Sequence, residues 1–265
     1  MRKIGNYSLL LILLILTSAH EFWLQPEKFM YKRGESVNIR FYVGENFEGE
    51  NWKGNKEKIN SLQLYYGGVQ ANISDHLTGA SGDSLQLNIY DEGNALIAFN
   101  STNSFIELEP AKFTEYLKED GLENTIRYRA ENGETDSIGR EYYQRCSKTL
   151  LQIGSIQNNV FKTATALPLD IIPQSNPYLL KDGDTLRAKL FFQKKALANG
   201  LVKIWHRAGG QSKMTDLQTD ENGQVAFPVY TNGQWMISSV HMIRLDKDPR
   251  AQWQSYWGSF VWGYQ

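Results

Sequence analysis

Cysteine is almost absent: Cys146 is the only one in 265 residues. That excludes an internal disulfide in any compartment and removes every metal motif built from several cysteines. A lone cysteine of this kind is read as a small buried apolar residue. Charge of one sign is also lacking, since 28 Lys and Arg face 29 Asp and Glu for a formal net charge of -1. Without a strong field of either sign, neither nucleic acid nor an anionic membrane surface is an expected partner. Long apolar runs are missing beyond residue 16, so no membrane span is expected after the N-terminal segment. No nucleophile motif, no phosphate-cradling loop and no carboxylate pair stands out, and the run "AGGQS" (208 to 212) reads as a turn. No catalytic residue is therefore named, and the chain is not read as an enzyme.

What is present begins at the N-terminus. Arg2 and Lys3 precede the aliphatic run Leu9 to Leu16, and the small residues Thr17, Ser18 and Ala19 follow it. This is the layout of a secretory signal peptide spanning residues 1–19, and the run is well short of the roughly 20 residues a bilayer core requires. The expected location is periplasmic or secreted. Cleavage after Ala19 would start the mature chain at His20 in "TSAHEFWLQP", whereas cleavage after Ser18 would start it at Ala19. No cysteine lies near the junction to carry a lipid anchor.

The rest is β-rich in pattern, with seven Trp, fourteen Tyr and short alternating runs divided by Gly and Asn turns. Val37, Ile39, Phe41 and Val43 alternate with polar residues as a half-buried strand does, and Leu62 to Tyr66 is a further strand candidate. Leu85, Leu87 and Ile89, then Ala95, Ile97 and Phe99, flank the turn at Asp91 to Asn94 and read as a hairpin. Phe113, Tyr116 and Leu117 recur at helical spacing between Pro110 and Gly121, predicting a short helix with proline in its first turn and glycine just past its end. Glu131 to Gly139 is a polar loop, and "REYYQRCSKTLLQIG" (140 to 154) has a start that periodicity allows to be helical and an end that reads as a strand. Three prolines around "LPLDIIPQSNPY" mark an interdomain link near Pro173. The expectation is a mainly β protein: a β-rich domain over 20–172 with one or two short helices, and an immunoglobulin-like or transthyretin-like sandwich over 173–265.

Several stretches taken together resemble a known family: "AHEFWLQP", "FTEYLKEDGL", "REYYQRCSKTLL", "NPYLLKDGDTL", "TDENGQVAFPVYTNGQWMISSVHM" and "WQSYWGSFVW". They are similar to a periplasmic bacterial family with an uncharacterised domain commonly labelled a nickel or cobalt uptake component, the nickel-uptake substrate-specific family. The resemblance runs across nearly the whole mature chain. It implies an exported, metal-associated protein; the leading expectation is a metal-binding or metal-delivery protein acting with a membrane uptake component. The transmembrane region in that label has no counterpart here, which sets a permease role aside.

The four histidines are His20, His76, His206 and His241. A mature chain beginning at His20 offers its amine and one ring nitrogen as a chelate, and a second imidazole would complete a three-nitrogen site suited to Cu(II) or Ni(II). His241, in "SSVHM", shares parity with Ile237 and Ile243 and is the favoured partner; His206, ending "KIWH", is the weaker one. In a Greek-key sandwich their strands would be antiparallel neighbours, paired end to beginning, which leaves the two histidines several residues apart. Glu21 is an added oxygen ligand, with Phe22 and Trp23 packing the strand onto the body, while His76 in "SDHLTG" reads as solvated. The metal set is therefore His20, His241, His206 and Glu21, for nickel, cobalt or copper. Arg140, Glu141, Arg145 and Lys148 form a charged cluster that either orients an anion or is structural. Two other classes compete: a copper-dependent oxidative enzyme acting on glycans, and a cell-envelope scaffold or binding module that uses Trp253, Trp257 or Trp262 for stacking.

Overall fold

The computed structural model describes residues 21–79 and 81–265. The expected leader and His20 lie outside the described residues.

Alternating apolar and polar residues make most of the chain extended. In order come β1 (Glu21–Pro26), β2 (Ser36–Glu45), β3 (Glu48–Asn51), β4 (Ile59–Tyr66), β5 (Ser84–Asn88) and β6 (Gly93–Ser101). Two helices follow, α1 (Pro110–Glu119) and α2 (Glu123–Glu131), then β7 (Gly139–Ile153) and β8 (Leu169–Pro173). The remainder is β9 (Thr185–Phe192), β10 (Leu201–Ala208), β11 (Gln211–Gln218), β12 (Gln224–Pro228), β13 (Gln234–Arg244) and β14 (Trp253–Gly263). The protein is mainly β, as its patterning predicts.

Three sheets stack in layers. The middle one has ten strands, running β11-β10-β13-β14-β7-β6-β4 and on to the edge strand Val69–Asn72. On one face lies a five-stranded sheet containing β1, β2, β3 and β5; on the other lies a four-stranded sheet containing β8, β9 and β12. A central strand must then be apolar on both sides. β6 meets that demand, because every residue from Gly93 to Ser101 is buried. Ile97 and Phe99 face the core shared with Phe41, Leu85 and Phe22, and Leu96 and Ala98 face the core shared with Leu169, Leu186 and Val225.

The expected hairpin between residues 85–89 and 95–99 does not form. β5 pairs with β2 in the outer sheet, whereas β6 pairs with β4 and β7 in the middle one. A turn signal says where the chain reverses, not whether it stays in one layer or crosses to the next. The helical option at residue 140 is likewise replaced by strand: β7 pairs in parallel with β14 from Glu141↔Trp253 to Thr149↔Val261. Strands on either side of residue 173 thus share the middle sheet, and β8 also pairs with β9 across the proline-rich link.

Helix α1 follows its sequence signals. Pro110 occupies the first turn, Phe113, Tyr116 and Leu117 are buried, and Gly121 takes φ +64 directly after the Asp120 cap. A Cβ at Gly121 would come within 2.6 Å of Leu201 Cβ, so both the left-handed backbone and the packing require glycine. The helix ends on β10, which places Asp120 beside the site described next.

Candidate functional site at the first strand

β1 is fixed along its whole length. It pairs antiparallel with β2, with Glu21 opposite Gly44, and Phe22, Trp23 and Leu24 are at most 3% exposed. Each such side chain contributes roughly 2–3 kcal/mol by burial, so the strand is anchored from its start. The Ser259 hydroxyl donates to the Phe22 carbonyl at 2.7 Å, tying β1 to the middle sheet. Phe22 and Trp23 therefore pack the start of the chain onto the body as the sequence predicts.

Glu21 turns inward and is 4% exposed. The Ser238 hydroxyl donates to its Oε1 at 3.0 Å, and the Trp205 indole N–H donates to Ser238 Oγ at 2.9 Å. Nearby, the Lys203 ammonium donates to Asp120 Oδ1 at 2.7 Å while Asp120 Oδ2 has no hydrogen-bond partner. Burial raises Glu21 to about 7 against the opposing charge of Lys203, and raises Asp120 to about 6. Burial works against the charged form of Lys203, but Asp120 and Glu21 outweigh it and raise its pKa. The narrow cleft lined by Glu21, Asp120, Lys203 and Ser238 leaves no space for a water molecule. Lys203 thus supplies the positive charge that the buried acids need.

Neither expected histidine partner joins this cluster. Ser238 and His241 differ in parity on β13 and so lie on opposite faces of the middle sheet. The His241 ring packs 4.3 Å from that of Phe192, with Tyr256 opposite it in register, and burial lowers its pKa. On β10, Lys203 and Trp205 face the Glu21 cluster, so His206 points the other way. His206 stacks on Trp235 at 4.0 Å, and its Nε2 is 3.0 Å from the Asn232 carbonyl. Its register partner is Trp235, six positions from His241, about 20 Å at strand spacing. The two strands are antiparallel neighbours and the two histidines are far apart, both as expected. His76 is exposed. Among the described residues no group of three or more His, Cys, Asp or Glu is placed to hold a metal ion.

The charged cluster on β7 is split by strand alternation. Arg140 pairs with Glu107 at 2.6 Å at the surface. Lys148 is fully buried with its Nζ 2.5 Å from Asp170 Oδ1. Glu141 is 2% exposed, accepts from the Tyr116 hydroxyl at 3.2 Å and contacts Ser255 Oγ; burial raises it to about 8. Cys146 is buried, and burial pushes its thiol up to about 12, consistent with an inert core residue. Trp253 and Trp262 are at most 2% exposed and so offer no stacking face, while Trp257 is half-buried with one face stacked on Tyr116.

What sequence reading did not find is an open groove of about 780 Å³ beside the β2–β3 hairpin, floored by Trp52 and flanked by Tyr143 and Arg145. The hairpin turn places both Asn46 and Phe47 at positive φ, unusual for phenylalanine. It is held there because Arg207 Nη1 donates to both turn carbonyls at 3.1 Å. The glycines of "VGENFEGENWKG" were the available signal, since they mark a tight reversal lined by backbone rather than side chains.

Fold and site define a layered β-sandwich protein with a buried acid–lysine cluster under its first strand and an open groove beside it. The chain belongs to DUF4198, a family described as a domain of unknown function, whose model matches residues 17–243. No curated protein matches it in sequence. Among solved structures it is similar to a DUF4785 family protein from Legionella pneumophila at 10% identity and TM-score 0.25, over 81% of this chain and 51% of that one. A Salmonella alpha-2-macroglobulin mutant matches at 10% identity and TM-score 0.23, over 92% of this chain and 15% of that one. Bovine butyrophilin matches at 8% identity and TM-score 0.22, over 83% and 92%. The chain thus spans about half of the Legionella protein. Likeness this low carries no functional argument.

No helix among the described residues is long and apolar enough to cross a membrane.

Proposed function

We propose that this is an exported envelope protein that binds one divalent transition metal, nickel, cobalt or copper, through its mature N-terminus and delivers it to a membrane uptake component. The observation that carries the reading is the anchoring of β1: a chain beginning one residue before the buried Glu21 presents its amine and imidazole from a rigid sheet rather than a frayed end. Rigidity matters because a chelate that is already ordered loses less entropy on binding. The signal-like segment and the family resemblance supply the rest of the argument.

Glu21 bonds inward to Ser238, and His241 and His206 lie on the far face, so the amine and imidazole of His20 carry the affinity in this reading. The experiment titrates Ni(II) and Cu(II) into three preparations: mature protein starting at His20, the same chain extended by one residue, and His241→Ala. Extension converts the amine to an amide and should weaken binding by at least about a hundredfold, while His241→Ala leaves it unchanged. Because the amine and imidazole must both be deprotonated, affinity should fall as pH drops below about 8, where the amine protonates, and more steeply below about 6.5, where the imidazole follows. Equal binding by the mature and extended chains would remove the metal reading and leave a metal-free scaffold or binding module in its place.

A further inference from the structure

Arg145 is the one half-buried or buried arginine whose charge is not met within the described residues. Arg140 and Arg244 pair with Glu107 and Glu134, Arg129 donates to the carbonyls of Thr135 and Ser137, and Arg207 donates to two turn carbonyls and pairs with Glu48. No carboxylate of the described residues lies within 4 Å of Arg145, whose guanidinium instead lies over the rings of Phe22 at 5.2 Å and Tyr143 at 5.4 Å. Its backbone N–H donates to Ser101 Oγ at 2.9 Å, and it lines the groove beside the β2–β3 hairpin.

The guanidinium lies over two aromatic rings and its nearest polar neighbour is the Tyr143 side chain, with no carboxylate in contact, so its remaining donors suit a planar, bidentate acceptor. We propose that the groove binds an organic carboxylate, with Arg145 receiving the carboxylate and Trp52 and Tyr143 packing the apolar body. The charge balance selects a single negative charge. Glu50 pairs with Lys53 and Glu48 with Arg207, each at 3.3 Å, so of the groove's charges Lys58 and Arg145 face Glu45 alone, one positive charge remains to be matched, and a dianion such as phosphate would face the acidic rim. The volume of about 780 Å³ suits a small organic acid or the last residues of a peptide. Burial lowers the Arg145 pKa, a cost that a bound carboxylate would offset. The carboxylate proposal rests on Arg145, Trp52 and Tyr143 and does not require the metal reading.

The test uses mature protein with benzoate, benzamide, inorganic phosphate and the tripeptide Gly-Gly-Phe with a free or an amidated terminus. Binding is read by calorimetry and by the NMR signal of the Arg145 Nε–H. Benzoate and the free-acid peptide should shift that signal, and the two amides should bind about tenfold or more weakly. A peptide that binds more tightly than benzoate points to a chain end as the natural ligand; the reverse order points to a free small acid. Arg145→Met keeps the stem on Phe22 and should lose the same factor of about ten or more. Equal binding of acids and amides, preference for phosphate, or an unmoved Arg145 signal at saturating benzoate overturns the proposal. Should Arg145→Met fail to fold, the wild-type NMR titration still decides.

Discussion

Lys148→Met is expected to destabilise the protein by about 3–5 kcal/mol, because it removes one half of a buried ion pair and leaves the Asp170 carboxylate without its cation. Lys148 sits in the middle of β7 with a side chain 1% exposed, Asp170 on β8 is 6% exposed, and Nζ and Oδ1 are 2.5 Å apart. The aliphatic stem runs past Phe260, its register partner, so methionine fills the same space and the loss reports charge rather than volume. Burial also lowers the Lys148 pKa, while Asp170 holds the charged form. At the scaling usual for a chain of this size the loss corresponds to roughly 6–20 °C in Tm. Asp170→Asn added to Lys148→Met should recover most of it. Asparagine can still accept from the Thr165 N–H that Asp170 Oδ2 now accepts from at 2.7 Å, but brings no charge. Urea unfolding of the wild type, the single variant and the double variant measures this. A single variant as stable as wild type would show that the pair does not form in solution.

A second large effect is a pH dependence that runs opposite to that of an ordinary salt-bridged acid. Glu141 lies between α1 and β14, with Tyr116 and Ser255 on its Oε1 and no partner on Oε2. Burial raises it from 4.5 to about 8, so the folded state holds a proton that the unfolded state has already released. With the unfolded state binding fewer protons, stability falls as pH rises from about 4.5 and levels off above about 8. The full span is on the order of 5 kcal/mol. Asp120 and Glu21, raised to about 6 and about 7, add to the loss at the lower end of the same window. Glu141→Gln mimics the protonated acid, keeps the acceptor for Tyr116 and should leave a shallower slope that is flat between pH 7.5 and 8.5. Urea midpoints at pH 5, 7, 7.5 and 8.5 measure it, and an unchanged slope in the variant would remove Glu141 from this role.

Both effects arise from charged residues on a strand that reads as ambiguous in sequence. Residues 140–154 place Glu141, Arg145 and Lys148 at spacings that suit either one helical face or both faces of a strand. Only pairing with β14 settles the matter, sending Lys148 toward Asp170 and Arg145 toward Phe22. The metal-site expectation met the same difficulty. Parity in β13 correctly put His241 on the same side as Ile237, but which of two buried faces that side joins depends on the layers stacked above and below. A sheet covered on both sides gives no polar face from which to read inward and outward.

By itself, the sequence determined the local order: alternation specified most strands, Pro110 and Gly121 bounded the helix, Phe22 and Trp23 anchored the first strand, and one cysteine excluded disulfides. These are short-range consequences of backbone geometry and side-chain chemistry, available without a partner. The tertiary structure alone decided that β5 and β6 part into different layers, that β7 and β14 run parallel through one middle sheet, and that Asp120, Lys203 and Glu21 meet under β13. Those contacts join residues 80 to 220 positions apart, and what selects them is the burial of whole sheet faces against one another, a property of the assembled layers that no short stretch carries.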